Sequence, residues 1–212
     1  MDMFPTVYLA RHAETAWSIT RQHTGLTDLL LTEHGECNAR RLGSRLRGLS
    51  FEKVWTSPLL RAMRTCELAG FGPAAAIDAD LVEWNYGKYE GRPTADILAE
   101  RPGWQLFRDG CPDGESPKQV AERADRIVKR IRGVTGNVLL FSSGHLLRVL
   151  AARWLGMETL AAQFFMLSTA SVSTLGYENN RNQPAILLWN DTRHLLTEGT
   201  KETTDVQEKS SR

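Results

Sequence analysis

An apolar run, Tyr8-Leu9-Ala10, breaks off at Arg11-His12, and this junction constrains the chain more than any other feature. A strand apolar on both faces must be covered on both, and a sheet sandwiched between helices provides that cover. A second run of this kind, Val138-Leu139-Leu140-Phe141, stops as abruptly at Ser142-Ser143-Gly144-His145. A guanidinium and an imidazole at the end of a buried strand are costly to desolvate unless something anionic meets them there.

Helical patterns alternate with the strand-like runs. Thr32 is placed to cap a helix reaching about residue 47, with Ala39, Leu42 and Leu46 inward and Arg40, Arg41, Arg45 and Arg47 on its solvated side. Residues 53–56 read as a strand that ends at Ser57-Pro58, where a helix over 58–69 begins, capped by Ser57. The Ala/Gly-rich stretch 70–76 reads as a turn, and 80–91 is too glycine-punctuated for an ordinary helix. A short helix over 94–100 precedes an excursion over 102–117, held by Trp104 and Phe107, that covers the strand ends like a lid.

Ser116-Pro117-Lys118-Gln119 is a capping box, and Val120, Ala124, Ile127, Val128 and Ile131 mark the buried stripe of the helix it opens. Helices over 146–155 and 158–166 follow, then strands over 171–177 and 185–189 joined by a polar turn. Residues 1–196 are expected to form one domain, and 197–212 a disordered tail.

Composition narrows the function. A net charge of +1 lacks the footprint of a nucleic-acid binder, so any positive site is focal. Cys37, Cys66 and Cys111 form neither a disulfide framework nor a zinc pattern, which favours a reducing cytoplasm. The first residues lack a basic start followed by an apolar stretch, and no run is long enough to span a bilayer.

In a parallel sheet, ligands gather at the carboxyl ends of the strands. Three such ends carry unusual polar groups: Arg11-His12, Ser57 leading to Arg61, and Ser143-Gly144-His145. His12 reads as a nucleophile, and Arg11 and Arg61 as clamps for an anion such as phosphate. His23, Thr24 and Gly25 either touch that anion or shape their loop, with Gly25 free to take backbone angles closed to other residues. Trp84, Tyr86, Tyr89, Trp104 and Phe107 either line a substrate mouth or build a satellite core. Arg148 is open to a structural or a ligand-binding role, while His34 and His194 read as exposed and without function.

The segments Leu9-Ala10-Arg11-His12-Ala13-Glu14-Thr15, Thr56-Ser57-Pro58-Leu59-Leu60-Arg61-Ala62, Leu81-Val82-Glu83 to Gly91, and Ser142-Ser143-Gly144-His145-Leu146-Leu147-Arg148 occur in that order. Together they resemble the histidine phosphatase superfamily, the phosphoglycerate-mutase-like proteins, and its phosphatase branch above all. The resemblance implies an α/β fold, a three-layer α/β/α sandwich with a mostly parallel sheet. It also implies a phosphoenzyme mechanism that uses neither metal nor cofactor. Through it His12 takes the phosphoryl group, Arg11 and Arg61 hold it, Glu83 acts as general acid, and Ser143 and His145 fall at the remaining catalytic positions. Ser18, Thr24, Gly25, Tyr86 and Gly144 are expected to contact the substrate along with Arg11, Arg61 and Glu83. Glu14 is expected to orient Arg11 or its loop.

Two positions depart from the family pattern. Ala13 stands where glycine is usual, so this position does not require left-handed backbone angles. Ser143 stands where the family has its second pocket histidine, and His145 lies two residues later. Either the enzyme is slowed, because a hydroxyl donates a hydrogen bond but no charge, or strand alternation continues and His145 points the same way as residue 143 and takes over. Three functions remain: a phosphomonoester hydrolase of small metabolites, including sugar phosphates; a phosphoglycerate mutase; and an impaired phosphate-binding module. The expected partner is a small phosphorylated substrate, neither nucleic acid nor membrane, and a homodimer is left open.

Overall fold

The computed structural model describes residues 4–196, so the proposed tail from 197 lies outside the described residues. In chain order the elements are β1 (Val7–Arg11), α1 (Ala16–Ile19), α2 (Glu33–Leu46), β2 (Lys53–Thr56), α3 (Leu60–Leu68), β3 (Ala75–Ile77), α4 (Thr94–Glu100), α5 (Leu106–Asp109), α6 (Pro117–Arg132), β4 (Val138–Ser142), α7 (Gly144–Trp154), β5 (Val172–Tyr177) and β6 (Pro184–Asp191). They build a mixed six-stranded sheet in the order β3-β2-β4-β1-β5-β6. β3, β2, β4 and β1 run parallel, and the β5–β6 hairpin adds β5 antiparallel to β1.

Alternation along the strands sorts the core into two layers. Val7, Leu9, Val138 and Leu140 face α6 and α7 in one cluster, while Ala10, Val54, Leu139 and Phe141 face Leu42, Leu46 and Cys66 of α2 and α3 in the other. The stripe Val120, Ala124, Ile127, Val128 and Ile131 of α6 is buried as its spacing demands. Each larger aliphatic side chain there contributes roughly 1.5–3 kcal/mol of burial. The capping box closes as expected, with the Gln119 amide donating to Ser116 Oγ and Gln119 Oε1 accepting from the Ser116 amide.

Register then aligns the strand ends. Arg11 pairs with Ser142 and Thr56 with Phe141, so the carboxyl ends of β1, β4 and β2 finish level and side by side. His12, Ser143 and Ser57 are the next residues on each.

Several local expectations are corrected. Residues 75–77 of the Ala/Gly-rich stretch join the sheet edge as β3, paired with Val54, Trp55 and Thr56. α3 starts two residues later than expected, behind Leu59, and its first amide is met by Asp28 Oδ1 at 2.7 Å rather than by a Ser57 cap. Residues 159–164 form a 3-10 helix in place of an α-helix. Arg41 and Arg45 are not simply solvated, since they bind the Leu195 carbonyl and Asp191. His194 is half-buried, its Nε2 on the Ala170 carbonyl.

The excursion over 102–117 is no lid on the strand ends. Trp104 and Phe107 are buried with Trp84 and Tyr89 in the larger core, and none of its residues lines the cavity described next. Of the five aromatics, only Tyr86 reaches that cavity; the other four build core.

Candidate active site

A cavity of about 510 Å³ opens above the level ends of β1 and β4. Arg11, His12, Ser18, Thr24, Glu83, Tyr86, Gly144 and His145, all expected from the sequence, line it together. Arg61, Gly25 and Ser143 do not reach its wall and lie buried beside it.

His12 is aimed by the main chain. Its backbone amide donates to the Ser142 carbonyl at 2.8 Å, and its Nδ1 donates to the Ala13 carbonyl at 2.8 Å, which leaves Nε2 unprotonated. Burial, then Arg11 and Arg61, hold its pKa well below the usual 6.5, so the ring stays neutral. Ala13 takes no left-handed backbone, as its side chain implies, and donates its amide to Thr65 Oγ1.

Two guanidinium groups act on this imidazole, Arg11 half-buried at the cavity and Arg61 fully buried. Arg11 donates from Nη1 to the Leu167 carbonyl, and its Nε has no partner among the described residues. Gly144 makes room for it, since a Cβ there would lie 3.2 Å from Arg11 Cζ and Nε. Arg61 is fully buried and spends its fork on the Thr24, Gly25 and Thr27 carbonyls, which places it behind the cavity wall rather than in it. Its Nε also lacks a partner among the described residues. Burial lowers the pKa of both, with Glu83 the largest opposing charge. Gly25 serves here by its smallness and not by a left-handed φ, because a Cβ would fall 2.6 Å from the Trp84 carbonyl oxygen.

Glu83 sits on the amino end of α7. Its Oε1 accepts from the Trp84 and Leu146 amides, and Oε2 from the His145 amide at 2.9 Å. Helix N-termini hold carboxylates in this way. Glu14 contacts neither Arg11 nor the cavity; it accepts from Thr32 Oγ1 at 2.7 Å and ties β1 to the start of α2.

Strand alternation does not bring His145 to the site. β4 ends at Ser142, Ser143 is the N-cap of α7, and His145 reaches the cavity from the first helical turn. The Ser143 hydroxyl makes no capping bond and is fully buried without a partner among the described residues. The Tyr86 hydroxyl, its pKa raised by burial and by Glu83, shares a 2.5 Å hydrogen bond with His145 Nδ1. Burial, Arg148 and His23 keep His145 neutral.

Arg21, Gln22, His23, Thr94, Arg148, Met166 and Leu167 complete the lining. His23 packs against Tyr86 and Trp104, and burial lowers its pKa to about 4. Arg148 binds the Ala162 and Gln163 carbonyls above the Phe107 ring, and burial lowers its pKa to about 10. Short-range pattern marks neither Thr94 nor Leu167; the signal for Arg148 is its place on the α7 face shared with His145.

Neutral imidazole, buried guanidinium groups and a carboxylate on a helix N-terminus make a site for phosphoryl chemistry. The chain matches the model of the histidine phosphatase superfamily (branch 1) over residues 7–192 and belongs to that family. It is 37% identical over 183 residues to an acid phosphatase of Mycobacterium tuberculosis, covering 84% of this chain and 90% of the relative. It is 36% identical over 190 residues to the sedoheptulose 1,7-bisphosphatase of Saccharomyces cerevisiae, covering 74% and 69%. The solved structure of an open-reading-frame product of Mycobacterium tuberculosis superposes with a TM-score of 0.84 at 34% identity, covering 88% of this chain and 97% of the other.

Proposed function

We propose that this chain hydrolyses phosphomonoesters of small metabolites through a phosphohistidine on His12. One observation carries the reading: a buried neutral imidazole with a free Nε2 stands beside two guanidinium groups that are hydrogen-bonded to backbone carbonyls and, among the described residues, to no carboxylate. A phosphoryl dianion supplies the missing negative charge.

In the first step the Nε2 lone pair attacks phosphorus, the ester P–O bond breaks, and Glu83, which takes up a proton when the phosphoryl dianion binds beside it, gives that proton to the leaving alkoxide. Oε2, with one backbone donor against two at Oε1, has the lone pair free to carry that proton. In the second step water attacks the phosphohistidine, Glu83 takes the proton, the N–P bond breaks, and phosphate leaves. Arg11 through Nε, with Arg61 behind it, stabilises charge on the transferring oxygens, and His145 faces them from the cavity wall. Ser143 replaces the charge-capable second histidine of the family with a hydroxyl, which slows these steps without removing the nucleophile. Ser18, Thr24, Tyr86 and Gly144 shape the rest of the substrate seat.

Three free cysteines support a reducing compartment, the cytoplasm. Among the described residues no helix is long and apolar enough to cross a membrane. Turnover of p-nitrophenyl phosphate and a panel of sugar phosphates tests the reading. His12→Ala is expected to lose activity by about a thousandfold or more and to form no phosphoenzyme. The exposed His34→Ala is expected to keep both, and an active His12→Ala overturns the mechanism.

A further inference from the structure

Helix α1 closes in an unusual way. The Gln22 amide donates to the Trp17 carbonyl at 3.0 Å and the Thr20 amide to the Ala16 carbonyl, and the residue between Thr20 and Gln22 takes a left-handed φ of 59°. Helix ends of this kind place glycine there, because a Cβ crowds the following carbonyl. This chain places Arg21 there. It lines the active-site cavity, is exposed, and has no side-chain hydrogen bond or ion pair among the described residues. The other cavity arginines are engaged: Arg11 stands beside His12, and Arg148 is tied to two carbonyls.

A strained backbone that persists at a ligand cavity points to the side chain it presents. We propose that Arg21 is a specificity residue that binds a second oxyanion of the substrate, at the far end from the phosphoryl group attacked by His12. The proposal rests on the hydrolase reading and names its substrate class: compact metabolites anionic at both ends. A free guanidinium fork matches phosphate or carboxylate bidentately. Cavities of roughly 300–1,000 Å³ hold whole metabolites, so this one has room beyond a single phosphoryl group.

The test is equilibrium binding by titration calorimetry in chains carrying His12→Ala, so that no ligand is turned over, with two matched pairs. Fructose 1,6-bisphosphate against fructose 6-phosphate reports a second phosphate, and 3-phosphoglycerate against glycerol 3-phosphate a carboxylate. The His12→Ala chain with Arg21 in place is expected to prefer the two-anion member of at least one pair by about tenfold. Arg21→Gly is expected to erase that preference while leaving the one-anion affinity unchanged, and Arg21→Lys to retain part of it. Glycine fits the left-handed position, so Arg21→Gly is expected to melt no lower than the parent. No preference in either pair, equal losses for both members of a pair, or no measurable binding of the two-anion compounds overturns the proposal. Turnover of the four compounds by the native chain is measured separately. Its absence counts against the hydrolase reading, while the binding preference and its loss in Arg21→Gly still decide whether Arg21 holds the second anion.

Discussion

His23 makes the fold pH-sensitive by a calculable amount. Buried against Tyr86 and Trp104, with Thr94 Oγ1 3.2 Å from its Nε2, it has a pKa lowered from 6.5 to about 4 by burial. The unfolded chain therefore takes up a proton near pH 6.5, whereas the folded chain does so only near pH 4. Stability is lost as the pH falls between these values, and the loss is complete below the lower one. The gap of about 2.5 at about 1.36 kcal/mol per pH unit amounts to about 3 kcal/mol, of which about 2 kcal/mol has gone by about pH 5. His23→Phe keeps the ring contacts and removes the titration. Near pH 7.5 it is expected within about 1 kcal/mol of the parent, the worth of the Thr94 hydrogen bond. Urea unfolding at about pH 7.5 and about pH 5 should show the variant gaining about 2 kcal/mol on the parent. A relative change below about 0.5 kcal/mol refutes the reasoning, because loss of the His23 charge also relieves the neighbouring His145 at low pH and so adds to the expected gain.

Two further changes probe the site. Gly144→Ala puts a methyl 3.2 Å from an Arg11 side chain pinned by the Leu167 carbonyl, and is expected to raise KM for phosphomonoesters about fivefold with the fold intact. An unchanged KM shows that Arg11 does not hold the phosphoryl group as proposed. Ser143→His is expected to raise kcat on p-nitrophenyl phosphate about tenfold, and His145→Ala to lower it by a similar factor. If Ser143→His leaves the rate unchanged while His145→Ala abolishes it, His145 has replaced the second pocket histidine outright.

What the sequence makes legible follows the range of the interactions that decide it. The limits of β2 and α4, the Thr32 cap and the Ser116 capping box all depend on residues within a turn or a strand, and the structure places them where the pattern does. The grouping of Arg11, His12 and His145 follows from strand ends on one edge of the sheet, whereas Glu83 joins them only through the family resemblance. Contacts across long stretches of chain escape such reading. Asp28 takes the α3 amide expected of Ser57, and the carbonyls of residues 24, 25 and 27 take the Arg61 fork expected to face phosphate. β3 hides in an alanine run that pairs only because β2 offers it an edge. Tyr86 and His145 meet across 59 residues, and no local pattern announces them.

The imidazole proposed to attack phosphorus, that of His12, is positioned by two peptide carbonyls, those of Ala13 and Ser142, which every amino acid would supply equally. Amino acid exchanges nearby therefore tune pace and preference while sparing the trigger itself. A lineage built on this plan would lose its chemistry by degrees rather than at one stroke.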